Sequence, residues 1–225
     1  MKTALVTGAS RGLGLALARG LVGRGFRLVL DARGEDDLRV VADELPDAVA
    51  LAGDVSDEAH RRALVDAARP RLDLLVNNAS FLGPSPQPEL GVYPLDVLRR
   101  VYEVNVVAPL ALVQLALPLL PEGGVIVNVT SDAAVEAYAG WGGYGSSKAA
   151  LDQLTRVLAE ERPDLRIYAV DPGDMRTQMQ QEAFPGEDIS DRPPPEESVP
   201  GILALLDGEY PSGRYLAREL AGVAR

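Results

Sequence analysis

The sequence predicts a single α/β domain in which a doubly wound parallel sheet carries helices on both faces. Three observations predict it: six short runs are almost continuously apolar, helical patterns separate them, and the first run passes directly into a glycine-rich turn. Strands buried on both faces have such apolar runs, and parallel strands need crossover helices between them. With 225 residues, 47% of them hydrophobic, the chain suits one domain over residues 1–225.

The predicted strands and helices alternate along the chain. Strands are expected at 3–7, 27–31, 48–52, 73–77, 124–130 and 166–170, and helices at 13–24, 35–45, 57–68, 95–119 and 144–161. The proline-rich stretch RPPPEESVP at 192–200 is interpreted as a loop before a last helix, not as a domain boundary.

The composition of the chain argues against several kinds of catalytic site and several kinds of binding partner. The chain has no cysteine and one histidine, His60, which leaves little for a zinc site or a Ser-His-Asp triad, and no metal is expected. His60 falls in helix 57–68 and is expected on the surface. A net charge of -11 argues against nucleic acid as a partner. No apolar run approaches the roughly 20 residues that span a bilayer, and the first residues are not typical of a signal peptide, so we expect a cytoplasmic protein without a membrane partner.

The glycine turn has the spacing of a phosphate-binding loop. Strand 3–7 runs into TGASRGLG, in which Gly8 would make the tight turn, Gly12 would let the backbone approach a pyrophosphate, and Gly14 would let the helix pack on the strand. A phosphate would then lie at a helix N-terminus. Taken alone, the same spacing also suits a plain strand-to-helix connection.

The segment YGSSK places a phenol and an ammonium on one helix face. Tyr144 and Lys148 are four residues apart, so both side chains point into the same space. Lys2 and Lys148 are the only lysines among 22 basic residues, which suggests that Lys148 fills a role that arginine cannot. Because a free phenol has a pKa of about 10, we expect the ammonium to favour the phenolate and so to make Tyr144 a proton-transfer group. The alternative is an ordinary surface pair.

Four further motifs follow the turn in a fixed order: GDV at 53–55, NNAS at 77–80, Ser131 thirteen residues before Tyr144-x-x-x-Lys148, and DPGDMRT at 171–177. With these motifs, the sequence resembles the short-chain dehydrogenase/reductase family over nearly its whole length. The resemblance implies a Rossmann-type fold and hydride transfer between a nicotinamide cofactor and a carbonyl or alcohol substrate.

The resemblance also implies four catalytic residues. Tyr144 would be the general acid/base, and Lys148 would tune it and hold the nicotinamide ribose. Ser131 would orient the substrate oxygen by a hydrogen bond, and Asn105 in EVNVV would extend a proton relay through water to the lysine. By helical spacing, Asn105 should point inward, where a buried amide needs partners.

The implied cofactor-binding residues come from every motif. They are Gly8, Ser10, Arg11, Gly12, Leu13, Gly14, Arg33, Asp54, Val55, Asn77, Asn78, Ala79, Tyr144, Lys148, Pro172, Gly173 and Thr177. Two alternatives stay open: Asp54 could cap helix 57–68, and Asn77 and Asn78 could simply end a strand.

The end of the second strand, LVLDARG, bears on the choice of cofactor. An acidic side chain there favours NAD, whereas arginine near the 2′-phosphate favours NADP. Arg11 and Arg33 are placed for that role, so NADP(H) is expected over NAD(H). In the family alignment the acidic position falls on Ala32, and Asp31 should point away from the ribose because side chains alternate along a strand. A register shift of one residue would reverse this.

The substrate stays undetermined. Its candidate walls are segment 81–94, the strip with Asp132 and Trp141, and loop 174–195 with Met175, Met179 and Phe184. The chain departs from the commonest family pattern at Ser80, at Asp171 and in the tail SGRYLARELAGVAR, which lacks paired glycines. Two other functions stay open: a dinucleotide-binding redox sensor without turnover, and a scaffold with an empty turn.

Assembly is the last expectation. The outer face of helix 144–161 is small and apolar at Ala149, Ala150 and Val157, and helix 95–119 becomes apolar on its outer side at Val107 and Leu110. These faces predict a helix-to-helix homodimer or homotetramer.

Overall fold

The sheet is entirely parallel and has seven strands in the part of the chain that the structure describes, residues 1–220 of a computed structural model. Its strand order is β3-β2-β1-β4-β5-β6-β7, and every neighbouring pair is parallel. The doubly wound α/β prediction is therefore confirmed. Residues 221–225, the end of the tail discussed above, lie outside the described residues.

The strands and helices have these bounds. The strands are β1 (Lys2–Val6), β2 (Phe26–Ala32), β3 (Ala48–Ala52), β4 (Leu74–Asn77), β5 (Val125–Val129), β6 (Arg166–Asp171) and β7 (Gly213–Leu216). The α-helices are α1 (Gly12–Val22), α2 (Glu35–Glu44), α3 (Glu58–Ala67), α4 (Leu95–Tyr102), α5 (Ala108–Ala116), α6 (Gly142–Glu161), α7 (Gln178–Ala183), α8 (Val199–Asp207) and α9 (Ala217–Leu220).

All six predicted strands are present, and the differences lie elsewhere. The sequence analysis did not predict β7 or α7. It also expected one helix over 95–119, whereas a π-helical segment, Glu103–Val107, separates α4 from α5. A π-helical turn within an α-helix often marks a functional site, and this one contains Asn105.

Alternate residues of each strand supply two hydrophobic cores, one on each face of the sheet. In β1, Ala4 and Val6 pack with α1 and α8, while Leu5 packs on the opposite face with side chains of α3 and α5. Both faces of the sheet are thus covered, which is why its strands are continuously apolar.

The stretch Leu95–Leu119 is long and apolar enough to cross a membrane, with a mean hydropathy of 1.5 over an 18-residue window. The sequence analysis expected no such stretch. In the fold, 44% of that window is buried, and α5 packs against α3 and β4. A core helix of a globular domain has the same composition.

Strand order reverses between β1 and β4. The chain moves outward from β1 to β2 and β3, then returns to add β4 on the other side of β1. In open α/β sheets, this reversal leaves a crevice at the carboxyl ends of the strands, where ligands bind.

Candidate active site

A cleft of about 620 Å³ opens at the carboxyl end of the sheet. Most of the predicted site residues line it: Gly8, Ser10, Arg11, Gly12, Leu13, Arg33, Asp54, Val55, Asn78, Ala79, Ser131, Tyr144, Lys148, Pro172, Gly173 and Thr177. Gly14, Asn77 and Asn105 do not line it. Sequence motifs separated by more than a hundred residues therefore meet in one space.

The glycine turn is shaped by close backbone approaches. Gly8 has a φ of +65°, a conformation that side chains rarely adopt. A Cβ added to Gly14 would collide with the Gly8 carbonyl oxygen, so only glycine lets α1 begin this close to β1. The predicted packing role of Gly14 is confirmed, and Gly14 supports the turn from behind rather than lining the cleft.

Asp31 supports the same turn from β2. One carboxylate oxygen accepts a hydrogen bond from the Gly8 backbone N–H at 3.3 Å, and the other lies 2.6 Å from His60 Nε2. The Asp31 side chain is only 2% exposed and that of His60 10%. The expectation that His60 lies on the surface was therefore wrong: its ring packs against Gly53 because glycine leaves room there.

Arg11 and Arg33 approach the cleft at its β2 end, and both are exposed. The Arg11 guanidinium contacts the Gln178 carboxamide and lies 3.8 Å from Asp37 Oδ2. Arg33 makes no ion pair and no side-chain hydrogen bond with the residues in 1–220. Arg33 therefore presents an uncompensated positive charge beside the turn.

Asp54 does not cap the following helix, so that alternative is wrong. The cap of α3 is Asp57, whose side chain accepts from the Ala59 N–H at 2.8 Å. Asp54 instead accepts hydrogen bonds from Ser56 and pairs with Arg100 of α4. The Ser56 hydrogen bonds and the Arg100 charge outweigh burial and hold the Asp54 pKa below its usual value. Arg100 lines the cleft, and the sequence analysis missed it.

The NNAS motif splits into a buried and an exposed part. Asn77 is 3% exposed, and its Nδ2 donates to Asn128 Oδ1 of β5 at 2.8 Å, so its predicted place in the cleft wall is corrected to a position behind it. Asn78 Nδ2 donates to the carbonyl oxygens of Thr7 and Gly8 at 2.8 and 3.1 Å. This side chain ties the end of β4 to the glycine turn.

Tyr144 and Lys148 face the same space, as predicted. Both are buried, and Lys148 Nζ lies 5.6 Å from the centre of the Tyr144 ring and donates to the Val129 carbonyl at 2.8 Å. Burial lowers the pKa of the Lys148 ammonium to about 8, while the negative charge of Asp152 acts in the opposite direction. The alternative of an ordinary surface pair is therefore wrong.

The Tyr144 pKa moves opposite to our expectation. Burial raises it above its ordinary value, and the negative charges of Asp171 and Asp132 add to the effect. The Ser80 hydroxyl beside the phenol works the other way but does not offset burial. The sequence showed the neighbouring ammonium but not the depth of burial, and for the groups of the chain itself burial is the larger effect.

Ser131 lies at the end of β5 in the cleft. Its hydroxyl donates to Asp132 Oδ1 at 2.9 Å and accepts from the Ala133 N–H at 3.2 Å, so it caps the short helical turn Asp132–Ala134. A role in orienting a substrate oxygen stays a prediction, and Asp132 would compete for the hydroxyl proton.

Asn105 is fully buried, as its helical spacing predicted, and its carboxamide is saturated. Oδ1 accepts from the Phe81 N–H at 2.8 Å and the Ser80 hydroxyl at 3.1 Å. Nδ2 donates to the Phe81 carbonyl and the Ser147 hydroxyl, each at 3.0 Å. A water relay would therefore have to use the Asn105 backbone rather than its side chain.

Apolar and aromatic side chains cover the wall next to Tyr144. Leu82 and Met179 pack with the phenol, and the Trp141 ring lies 6.0 Å from the Tyr144 ring and 5.8 Å from the Phe184 ring, centre to centre. These residues come from the three segments predicted as substrate walls. Carboxylates of Asp132, Asp174 and Glu182 also line this part of the cleft.

Comparison with known proteins agrees with this geometry. Residues 2–188 match the model of the short chain dehydrogenase family. The chain is 33% identical over 246 residues to a benzil reductase of Saccharomyces cerevisiae, covering 99% of this chain and 91% of that protein. It is 36% identical over 197 residues to sepiapterin reductase of Mus musculus, covering 79% and 76%.

A solved structure is similar over the whole fold. A short chain dehydrogenase of Escherichia coli CFT073 in complex with NADPH superposes with a TM-score of 0.87 at 31% identity, covering 96% of each chain. This chain is therefore a member of the short-chain dehydrogenase family of oxidoreductases.

Proposed function

We propose that the protein is an NADP(H)-dependent oxidoreductase that interconverts a carbonyl compound and an alcohol. The observation that carries the proposal is the burial of Tyr144 and Lys148 in the cleft that also contains the glycine turn. A protein that only binds dinucleotide has no use for a buried proton donor at that place.

The residues of the chain fit a nicotinamide dinucleotide. The Gly8–Gly14 turn would hold the pyrophosphate with its backbone N–H groups, and Lys148 would hold the nicotinamide ribose. When bound, the nicotinamide would supply or accept the hydride. The protein would supply the proton: because burial raises the Tyr144 pKa, the phenol keeps its proton at neutral pH and can donate it to a developing alkoxide.

Preference for NADP(H) is supported at the β2 end of the cleft. Both Asp31 oxygens are engaged, by Gly8 and His60, and its side chain is buried, so it is poorly placed to accept from a ribose hydroxyl. Ala32 occupies the position where an acid would favour NAD. Arg33, without an acidic partner in the described chain, is free to pair with a 2′-phosphate.

The wall beside Tyr144 favours an uncharged, apolar carbonyl compound. Leu82 and Met179 give this part of the cleft an apolar lining, whereas carboxylates such as Glu182 would repel an anionic substrate. We expect 4-methylacetophenone to be reduced about tenfold more efficiently than 4-acetylbenzoate. Glu182→Gln should lower the ratio of the two reduction efficiencies, and Glu187→Gln, outside the cleft, should leave it unchanged. An equal or reversed preference in the parent would contradict this substrate class.

We also propose a homo-oligomer. Val107 beside α5 and Val157 on α6 are 46% and 43% exposed, and they lie on the outer faces identified from the sequence. A second copy of the chain would cover both. The expected mass by light scattering at micromolar concentration is that of a dimer or tetramer, and Val157→Glu should reduce it. A monomeric parent would end this proposal.

Two measurements test the function. NADPH should raise the melting temperature more than NADH does at equal concentration, since a ligand at a hundred times its dissociation constant stabilises by about 2.7 kcal/mol. A panel of ketones and aldehydes, followed by the loss of NADPH absorbance, should then identify at least one substrate. Stabilisation without turnover on any carbonyl would favour the redox-sensor alternative, and no stabilisation would favour a scaffold.

A further inference from the structure

Arg214 joins three parts of the catalytic end of the cleft. It lies on β7, the strand that the sequence analysis missed, and its side chain is 24% exposed. Nε donates to Asp152 Oδ2 of α6 at 3.1 Å, and Nη2 donates to Asp171 Oδ2 of β6 at 3.0 Å and to the Ser131 carbonyl at 3.1 Å. One side chain thus fixes α6, β6 and the residue that follows β5.

Asp152 is a buried carboxylate that the proposed chemistry does not use. It lies one helical turn after Lys148, and its side chain is 7% exposed. Its second oxygen, Oδ1, is buried, and the nearby Thr130 hydroxyl, also buried, acts on the carboxylate by hydrogen bonding, which lowers the Asp152 pKa. Burial nevertheless raises the Asp152 pKa overall.

A buried carboxylate is costly unless it is paired with positive charge. Asp152 pairs with Arg214, and a second positive charge, Lys148, lies one helical turn away from it on α6. Lys148 is 2% exposed and donates one hydrogen bond, to the Val129 carbonyl. The phenol of Tyr144 on α6 faces the same space as Lys148, and the charges of Asp132 after β5 and Asp171 on β6 act on that phenol. Arg214 on β7 pairs with Asp171 as well as with Asp152.

We propose that Asp152 and Arg214 are positioning residues for the catalytic centre: Asp152 supplies the negative charge that keeps Lys148 an ammonium, and Arg214 fixes Asp152 and the Ser131 backbone. The assignment rests on the proposed function, because it presumes that Lys148 and Ser131 serve a reaction. The electrostatic coupling of Lys148 to the pair does not depend on any activity and can be measured separately.

The composition of the chain offers a direct probe. With lysine as the only labelled residue type, ¹³C at Cε gives two NMR signals, from Lys2 and Lys148, and Lys2→Arg assigns them. In the parent we expect Lys148 to titrate near pH 8.

Both substitutions should lower the Lys148 midpoint. Asp152→Asn removes a negative charge beside the ammonium, so the midpoint should fall by about one pH unit. Arg214→Gln frees the Asp152 side chain and removes the positive charge that lowers the Asp152 pKa, so the Lys148 midpoint should fall by less than in Asp152→Asn. A midpoint that does not move in either variant would overturn the proposal, and because the two substitutions are tested separately, a folding failure of one leaves the other decisive.

Asp73→Asn is the matched control. Asp73 is also a buried aspartate paired with an arginine, Arg71, at 2.8 Å, but it precedes β4 and so lies at the amino end of the strands, opposite the cleft. Its substitution should lower the melting temperature and leave the Lys148 midpoint unchanged. If Asp73→Asn moved the midpoint as far as Asp152→Asn does, the coupling would be a general effect of lost stability, and the proposal would fail.

Turnover tests the positioning role. The turnover number kcat for ketone reduction should fall as pH rises through the Lys148 midpoint, and Asp152→Asn should shift that fall to lower pH while the KM for NADPH at pH 6.5 stays within about threefold. Arg214→Gln should lower kcat by about tenfold at pH 7, and Arg214→Lys should recover part of the loss.

A parent inactive on every carbonyl, but with the expected midpoint shifts, would refute the proposed function alone. If the parent is active but Asp152→Asn changes neither the fall of kcat at alkaline pH nor the Lys148 midpoint, the positioning role alone would be refuted.

Discussion

The cofactor end and the catalytic end of the cleft each contain a buried carboxylate, held in different ways. At the cofactor end, Asp31 bonds to a backbone N–H of the glycine turn and to a histidine ring. At the catalytic end, Asp171 pairs with Arg214 and its charge acts on Tyr144. The first carboxylate supports the shape of a turn, and the second belongs to a set of charges that tune proton transfer.

From this difference we predict which measured quantities a substitution at each end should change. Substitutions at the cofactor end should change affinity and the choice between NADPH and NADH, because they alter a binding surface made largely of backbone. Substitutions at the catalytic end should change turnover and its pH dependence with little effect on cofactor affinity. A variant at one end that changed mainly the property assigned to the other end would contradict this distinction.

The largest effect is expected at Tyr144. Tyr144→Phe removes one hydroxyl and should lower kcat by about 100-fold or more while the dissociation constant of NADPH stays within about threefold. Steady-state kinetics and a fluorescence titration with NADPH measure the two quantities. Turnover within a few-fold of the parent would remove Tyr144 as the acid/base.

A large effect is also expected at Gly14. Gly14→Ala places a methyl group against the Gly8 carbonyl and Asn78, so the turn must shift. The free energy of unfolding should fall by about 1–3 kcal/mol, and NADPH should bind at least about tenfold more weakly. Gly91→Ala is the control, because a Cβ there meets open space. Unchanged NADPH affinity in Gly14→Ala would contradict the role assigned to the turn.

The choice of cofactor should depend on Arg33. Arg33→Ala should reduce the ratio of catalytic efficiencies with NADPH and NADH by about tenfold, the value of one charge-assisted hydrogen bond to a phosphate. Arg39→Ala, which removes an exposed arginine paired with Asp36, serves as the control. A parent that prefers NADH, or a ratio that Arg33→Ala does not change, would show that another group sets the choice.

The smallest effect is expected at Asp31. Asp31→Asn keeps an oxygen that can accept from the Gly8 N–H but loses the charge that faces His60. NADPH affinity should fall by about two- to fivefold with kcat unchanged. A large loss of turnover with intact NADPH affinity would show that Asp31 acts with the catalytic charges. The two ends would then not differ in the way described above.

The sequence predicts the cofactor end well because its shape is local. Glycines within seven residues fix the turn, and the apolar strands leave one arrangement of sheet and helices. The two arginines that face the cleft there were also identified, since they lie next to the turn and to the end of β2. Two residues at this end were not predicted correctly. The burial of His60 depends on contact with Gly53 and Asp31 rather than on its position in a helix, and Arg100 of α4 reaches the cleft beside Asp54, far from it in sequence.

At the catalytic end, the sequence predicted which residue types are present but not the direction of the Tyr144 pKa shift. Tyr144 and Lys148 are four residues apart, so their shared face follows from helix geometry. The direction of the Tyr144 pKa shift depends on burial by distant segments, which spacing does not encode. Arg214 was missed because β7 has four half-buried residues and no continuous apolar run, and its partners lie 43 to 83 residues away in sequence.

The most direct test of the account is to follow the hydride. NADPH carrying deuterium at both C4 positions of the nicotinamide ring would be incubated with the protein and the best ketone of the panel, and the alcohol analysed by mass spectrometry and NMR. We expect one deuterium on the carbinol carbon for each NADPH consumed, at a rate at least about 100-fold lower in Tyr144→Phe. NADPH that binds but is never oxidised, or an alcohol without deuterium on that carbon, would contradict it.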